Sequence, residues 1–163
     1  MARKFWVFAV LVAALIVPAA KADQLQFTFN LSGCSGGCTV PAGTVLLTQD
    51  GLNVDVNVNL NNPLASGFID SGNGNSHTSF VFDIAGVPKI NITNLSAGFT
   101  FPADSTVDSP FGTFDYGIDC SSSGTPKCGP GAPKVVPPPL LFTIGRADGT
   151  KLSLSDFTSN PYA

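Results

Sequence analysis

Only a few residues in this chain are of a type and spacing that could do chemistry. Gly33-Cys34-Ser35-Gly36-Gly37 spells the G-x-S-x-G pattern of a serine-hydrolase nucleophile elbow, and His77, the only histidine, follows it. The pattern works at a sharp strand-to-helix turn, which pushes the serine hydroxyl out of a sheet flanked by helices. Here it lies between Cys34 and Cys38, behind an alternating apolar run and ahead of Thr39-Val40-Pro41. A glycine- and serine-rich turn closed by a disulfide accounts for the same residues without a helix. His77 ends the polar run Gly72-Asn73-Gly74-Asn75-Ser76-His77. A lone histidine needs an orienting partner to act as base or ligand, and the sequence around it offers none.

The carboxylates are the next candidates. Asp115 and Asp119 flank Tyr116 in Phe114-Asp115-Tyr116-Gly117-Ile118-Asp119. Read as a strand, this places Phe114, Tyr116 and Ile118 inward and both aspartates on the outer face, about 13 Å apart. That is wider than the roughly 5–9.5 Å between the paired carboxyls of glycosidases. The run from Asp70 to Ser76 has the composition of a calcium loop, but its asparagines fall at the wrong offsets for an EF-hand. No catalytic set, cofactor or metal is expected.

The cysteines carry a more specific message. They occur as Cys34-x3-Cys38 and Cys120-x7-Cys128. No C-x2–4-C spacing is matched by a similar second pair, as a zinc site would require. Four cysteines allow three connectivities, and the two local ones are expected because each pair brackets a Gly/Ser-rich turn. Loops this short contribute at most about 3 kcal/mol each, so their main effect is on loop shape.

Disulfides need an oxidising compartment, and the N-terminus supplies a route to one. Arg3 and Lys4 precede the apolar run 5–20, and Ala20-Lys21-Ala22 is a small-x-small processing site. Cleavage is expected between Ala22 and Asp23, leaving one domain over 23–163. The apolar run is short for a bilayer span of about 20 residues and is interrupted by Pro18, so removal is favoured over anchoring. The mature chain has no second such run and is expected to have no membrane partner.

Without the leader, five basic residues (Lys89, Lys127, Lys134, Arg146, Lys151) face eleven aspartates, a net charge of −6. Nucleic-acid binding relies on Lys and Arg to neutralise phosphates, so it is not expected. The chain contains no glutamate at all. Glutamate favours helices and aspartate favours turns and caps, so the bias points away from helix.

Hydrophobic periodicity says what holds these residues in place. Leu25, Phe27, Phe29 and Leu31 alternate with polar residues, as do Leu52, Val54, Val56, Val58 and Leu60. Alternation gives a strand one buried and one wet face, the signature of antiparallel sheets. Further strands are expected at 43–49, 79–84, 89–95, 99–101, 114–118, 140–144 and 152–157, separated by Gly, Pro, Asn and Asp turns. The prediction is an all-β, antiparallel β-sandwich, jelly-roll-like, of about eight or nine strands. Its core should be rich in phenylalanine: Phe27, Phe29, Phe80, Phe82, Phe99, Phe101, Phe114 and Phe142. Residues 119–139 read as one long irregular loop, with Pro137-Pro138-Pro139 extended and unpaired.

Four segments, GTVLLTQDGLNVDVNVNL, SFVFDIAGVPKINITNLSAGF, FGTFDYGIDC and LLFTIGRADGTKLSLSDFTSN, carry a resemblance that covers the chain from about Gly43 onward. They are similar to a recurrent family of exported bacterial proteins with a PEP-CTERM sorting tail. The resemblance implies a β-rich surface or matrix protein with no catalytic residues to carry over. It also implies a further strand, a Pro-Glu-Pro motif, a membrane helix and a basic terminus beyond the Ser155-Asp156-Phe157 segment, none of which this sequence contains. The expectation is a cut or freely released form, in which the strand at 152–157 lacks a neighbour and invites edge-to-edge self-association.

The leading expectation is therefore an exported, non-enzymatic β-sandwich of a cell surface or matrix, with extracellular polysaccharide or matrix as partner. The alternative is a glycan-binding module using Asn73, Asn75 and His77, with calcium held by aspartates. Its weakness is the shortage of stacking rings: Trp6 leaves with the leader, and Tyr116 and Tyr162 remain. The third is a secreted hydrolase using Ser35 and His77. Asn30-Leu31-Ser32, Asn91-Ile92-Thr93 and Asn94-Leu95-Ser96 match the glycosylation sequon, which matters only in a eukaryotic host.

Overall fold

The computed structural model describes residues 22–29, 41–61, 67–68, 78–102, 107–109, 112–120 and 136–157. They form ten strands: β1 (Gln24–Thr28), β2 (Gly43–Asp50), β3 (Asn53–Leu60), β4 (Phe80–Phe82), β5 (Ile90–Thr93), β6 (Phe99–Thr100), β7 (Val107–Ser109), β8 (Gly112–Phe114), β9 (Tyr116–Cys120) and β10 (Leu140–Arg146). One 3₁₀ turn, Leu154–Asp156, follows. None of the described helices is long and apolar enough to cross a membrane.

A five-stranded sheet has the order β1-β2-β3-β10-β5 and a three-stranded sheet the order β4-β9-β6, with every neighbour antiparallel. β7 and β8 form a separate hairpin. The pairings nest: β3 with β10, β4 with β9, β7 with β8. Folding a long hairpin back on itself in this way winds the chain into the double sheet of a jelly roll. The all-β sandwich read from the alternation is the observed fold.

Alternation decides which side chains meet. Val54, Val56 and Val58 point inward from β3 while Asn53 and Asp55 lie exposed. Register aligns them into rows: Leu25, Leu47, Val56 and Phe142 in one, Phe27, Val45, Val58 and Leu140 in the next. The outer face is polar. Thr143 donates to Asp55 Oδ1 at 2.6 Å and accepts from Asn94 Nδ2 at 3.2 Å, which satisfies the one buried polar side chain of the sheet. Gly43 lies beside Phe29, and a Cβ there would sit 2.2 Å from the Asn59 carbonyl oxygen and 2.9 Å from the Phe29 ring. Only glycine leaves room for that ring against the sheet.

Two expectations are corrected. Residues 152–157 are not a strand. Leu152 donates its amide to the Leu52 carbonyl, and its own carbonyl accepts from Gln49 Nε2 at 2.9 Å. Ser153 then caps the 3₁₀ turn, and Asp156 Oδ2 accepts from the Ser153 amide at 3.0 Å and pairs with Arg146 at 3.2 Å. Leu152 and Phe157, which strand alternation would put on opposite faces, are both buried. The segment closes one end of the sandwich, so the self-association argument built on an open strand there fails. The second correction concerns 119–139. Asp119 and Cys120 belong to β9, and Val136 bridges to Phe68. The Pro138–Pro139 peptide is cis. The β7–β8 hairpin is additional to the strands expected.

Candidate functional site

Burial declines across the large sheet. Ile144 and Leu140 of β10 and Val54 and Val58 of β3 are fully buried, Val45 and Leu47 of β2 nearly so, and Leu25, Phe27 and Phe29 at the β1 side only partly. The cause is the mismatch between five strands and three. Phe80 and Phe82 of β4 reach Phe142 of β10 with ring centroids 6.0 Å apart in each case, so the small sheet packs over the middle of the large one, and the outer strands β1 and β5, whose apolar side chains are only partly buried, extend past it. β1 and β4 are each terminal in their sheets among the described residues.

Between them lies a cleft of about 100 Å³. Phe27 lines it from β1 and Phe29 from just past its end, Phe80 and Phe82 from β4, and Phe142, Val45, Leu47 and Val56 from the strands of the large sheet; Phe114 and Phe157 complete the aromatic lining. The rings form a connected set: Phe80 stacks on Phe82 at 5.8 Å and Phe82 on Tyr116 at 5.3 Å. The Tyr116 hydroxyl donates to the Pro88 carbonyl, which fixes the end of that stack.

Asp83 and Asp115 lie beside the small sheet. The register pairs Phe82 with Tyr116, which makes Asp83 and Asp115 the next cross-strand neighbours. The Asp115 amide donates to Asp83 Oδ1 at 2.8 Å. Burial, then the Asp83 charge, then a hydrogen bond between the two side chains push the Asp115 carboxyl above the usual aspartate range. The partner of Asp115 is therefore Asp83, not Asp119. The fold favours the protonated form of Asp115, so its ionised form costs stability at neutral pH. That cost disappears as pH falls through the raised value toward about 3.9, the unfolded one. Asp115→Asn is expected to stabilise the protein at pH 7 by about 0.5 kcal/mol, the scale of a partly exposed charge pair. At pH 3 the variant and the parent should unfold at the same urea concentration.

Among the described residues no group of three or more His, Cys, Asp or Glu is placed to hold a metal. Cys120 is buried at the other end of β9 and takes part in a disulfide. Its sulfur lies 3.8 Å from the Phe68 carbonyl oxygen, next to the edge-to-face pair Phe68–Phe99. The other three cysteines, Cys34, Cys38 and Cys128, lie outside the described residues, as do Ser35, Asn73, Asn75, His77 and Tyr162. Of the processing site, Ala22 and Asp23 are described and immediately precede β1. Phe114, Tyr116 and Ile118 are buried as the alternation requires.

The sequence reading missed the cleft and Asp83. Phe80, Phe82 and Phe142 were legible as core residues, but nothing in a period of two separates a fully covered phenylalanine from one at a cleft. No protein-family model, curated protein or solved structure matches this chain.

Proposed function

We propose that this chain is an exported, non-enzymatic β-sandwich of a bacterial cell surface or extracellular matrix, related to the proteins that carry a PEP-CTERM sorting tail. The observation that carries the reading is an oxidised cysteine in the domain core, Cys120, behind an N-terminal segment with the charge and apolar pattern of a leader. Disulfides persist outside the cytosol and are reduced within it. A polar, aspartate-rich outer surface suits a protein that meets water and extracellular polysaccharide or matrix.

The test is expression with the native N-terminal segment in a Gram-negative host, followed by mass spectrometry of each fraction. The expected product is found outside the cytosol, begins at Asp23 and has no titratable thiol. Its peptides are joined as Cys34–Cys38 and Cys120–Cys128. It turns over no ester, glycan or peptide substrate. Protein held in the cytosol with its leader attached and four free thiols would overturn the reading. So would a hydrolase activity abolished by Ser35→Ala or His77→Ala.

A further inference from the structure

The cleft between β1 and β4 is walled by aromatic rings from both sheets. We infer that it is a binding site for one small, neutral, apolar group, of the size and shape of a single aromatic ring. The inference needs only the folded domain and stands whether or not the chain is exported.

Size is the first argument. A cavity of about 100 Å³ is of the order of the engineered ~150 Å³ apolar cavity that takes up benzene. A space of that volume takes one ring-sized group. Lining is the second. Phe27, Phe29, Phe80, Phe82 and Phe142 offer faces and edges from both sheets, the arrangement that receives another ring in stacked or edge-on geometry. Water inside such walls finds few of the polar partners that would hold it, so an apolar guest displaces it readily. Charge is the third. Asp83 is the one ionisable residue along the described lining, and its Oδ1 already accepts the Asp115 amide. An anionic guest would bring a second negative charge beside that carboxylate, so a neutral ring is favoured over an anion. Access is the fourth. The cleft opens between two terminal strands, so a guest enters without breaking a strand pair.

The experiment is a methyl-resolved NMR titration of the oxidised full domain with indole and toluene, and with benzoate as the anionic counterpart. Indole and toluene should shift the methyl signals of Val45, Leu47 and Val56 saturably, leaving the exposed Leu52 and Val87 unmoved. Benzoate should bind at least tenfold more weakly. Val45→Phe fills the cleft from its floor and should weaken indole binding at least tenfold. Phe82→Leu, a gentler change, should weaken it severalfold; each variant is first shown to keep the parent spectrum outside the cleft. Shifts that rise linearly and spread over the surface would overturn the inference. So would undiminished binding to a folded Val45→Phe variant. Two other occupants would also overturn it: a second copy, revealed by concentration-dependent cleft signals without ligand, and the chain's own residues 158–163, revealed by their signals moving as indole enters.

Discussion

Leu152→Ala is expected to lower the unfolding free energy by about 3 kcal/mol, within the range for a fully buried leucine. Leu152 is completely buried although it belongs to no strand. Its backbone is tied at both ends, by the amide to the Leu52 carbonyl and by the carbonyl to the Gln49 side chain. Further along, the Ala85 amide donates to the Asp156 carbonyl. The segment is thus pinned in place, and neighbouring groups cannot readily collapse into the space that the lost methyls leave. In a domain of this size the loss corresponds to a midpoint about 10 °C lower. The urea midpoint should fall at unchanged slope, because the fold itself is kept. Leu154→Ala is the informative control. An edge strand at 152–157 would place Leu152 and Leu154 on one face, where they would cost alike. The 3₁₀ turn buries Leu152 fully and Leu154 only in part, so Leu154→Ala should cost about 1 kcal/mol. Equal losses would refute the capped turn.

That contrast also shows where the sequence was legible and where it was not. Leu-Ser-Leu-Ser reads as a strand by alternation, yet Ser153 and Asp156 stand at the three-residue spacing of a capping box, a signal present in the same letters. Two local rules competed, and the side-chain hydrogen bonds to the backbone won. In β2, β3 and β10 no such competition exists: valine, leucine and isoleucine alternate with asparagine, aspartate and threonine, and the strands formed close to where the pattern put them. The β7–β8 hairpin was missed because three-residue strands are too short to establish a period. The pairings of β3 with β10 and β4 with β9 join segments far apart in the chain and leave no local trace. For that reason Asp115 was matched by sequence spacing to Asp119, whereas the register gives it Asp83. The cleft was illegible for a related reason. It exists because one sheet has five strands and the other three, a count that emerges only once the pairings are known.

If the gradient of burial from β10 to β1 is what creates the cleft, phenylalanines of identical sequence character must differ in energetic weight. Phe142→Ala is expected to cost about 4 kcal/mol, within the range for a buried phenylalanine and a large share of a typical domain's 5–15 kcal/mol. Phe142 is buried at the centre of the large sheet, opposite Val56, and holds the rings of both Phe80 and Phe82. Its removal joins the vacated space to the cleft. Phe27→Ala, one strand beyond β2, removes the same atoms from a partly covered position and should cost about 2 kcal/mol, since the ring already meets solvent in the folded state. Urea denaturation of the two variants side by side checks the difference, and equal costs would mean that β1 is as well covered as β10. The enlarged cavity makes a second, opposite prediction. Indole binds only the folded state, so it should raise the midpoint of Phe142→Ala more than that of the parent, in proportion to the logarithm of its concentration over its dissociation constant. A chain whose stability is restored by a small ring after losing one of its own would locate the missing ring and the bound one in the same aromatic cleft.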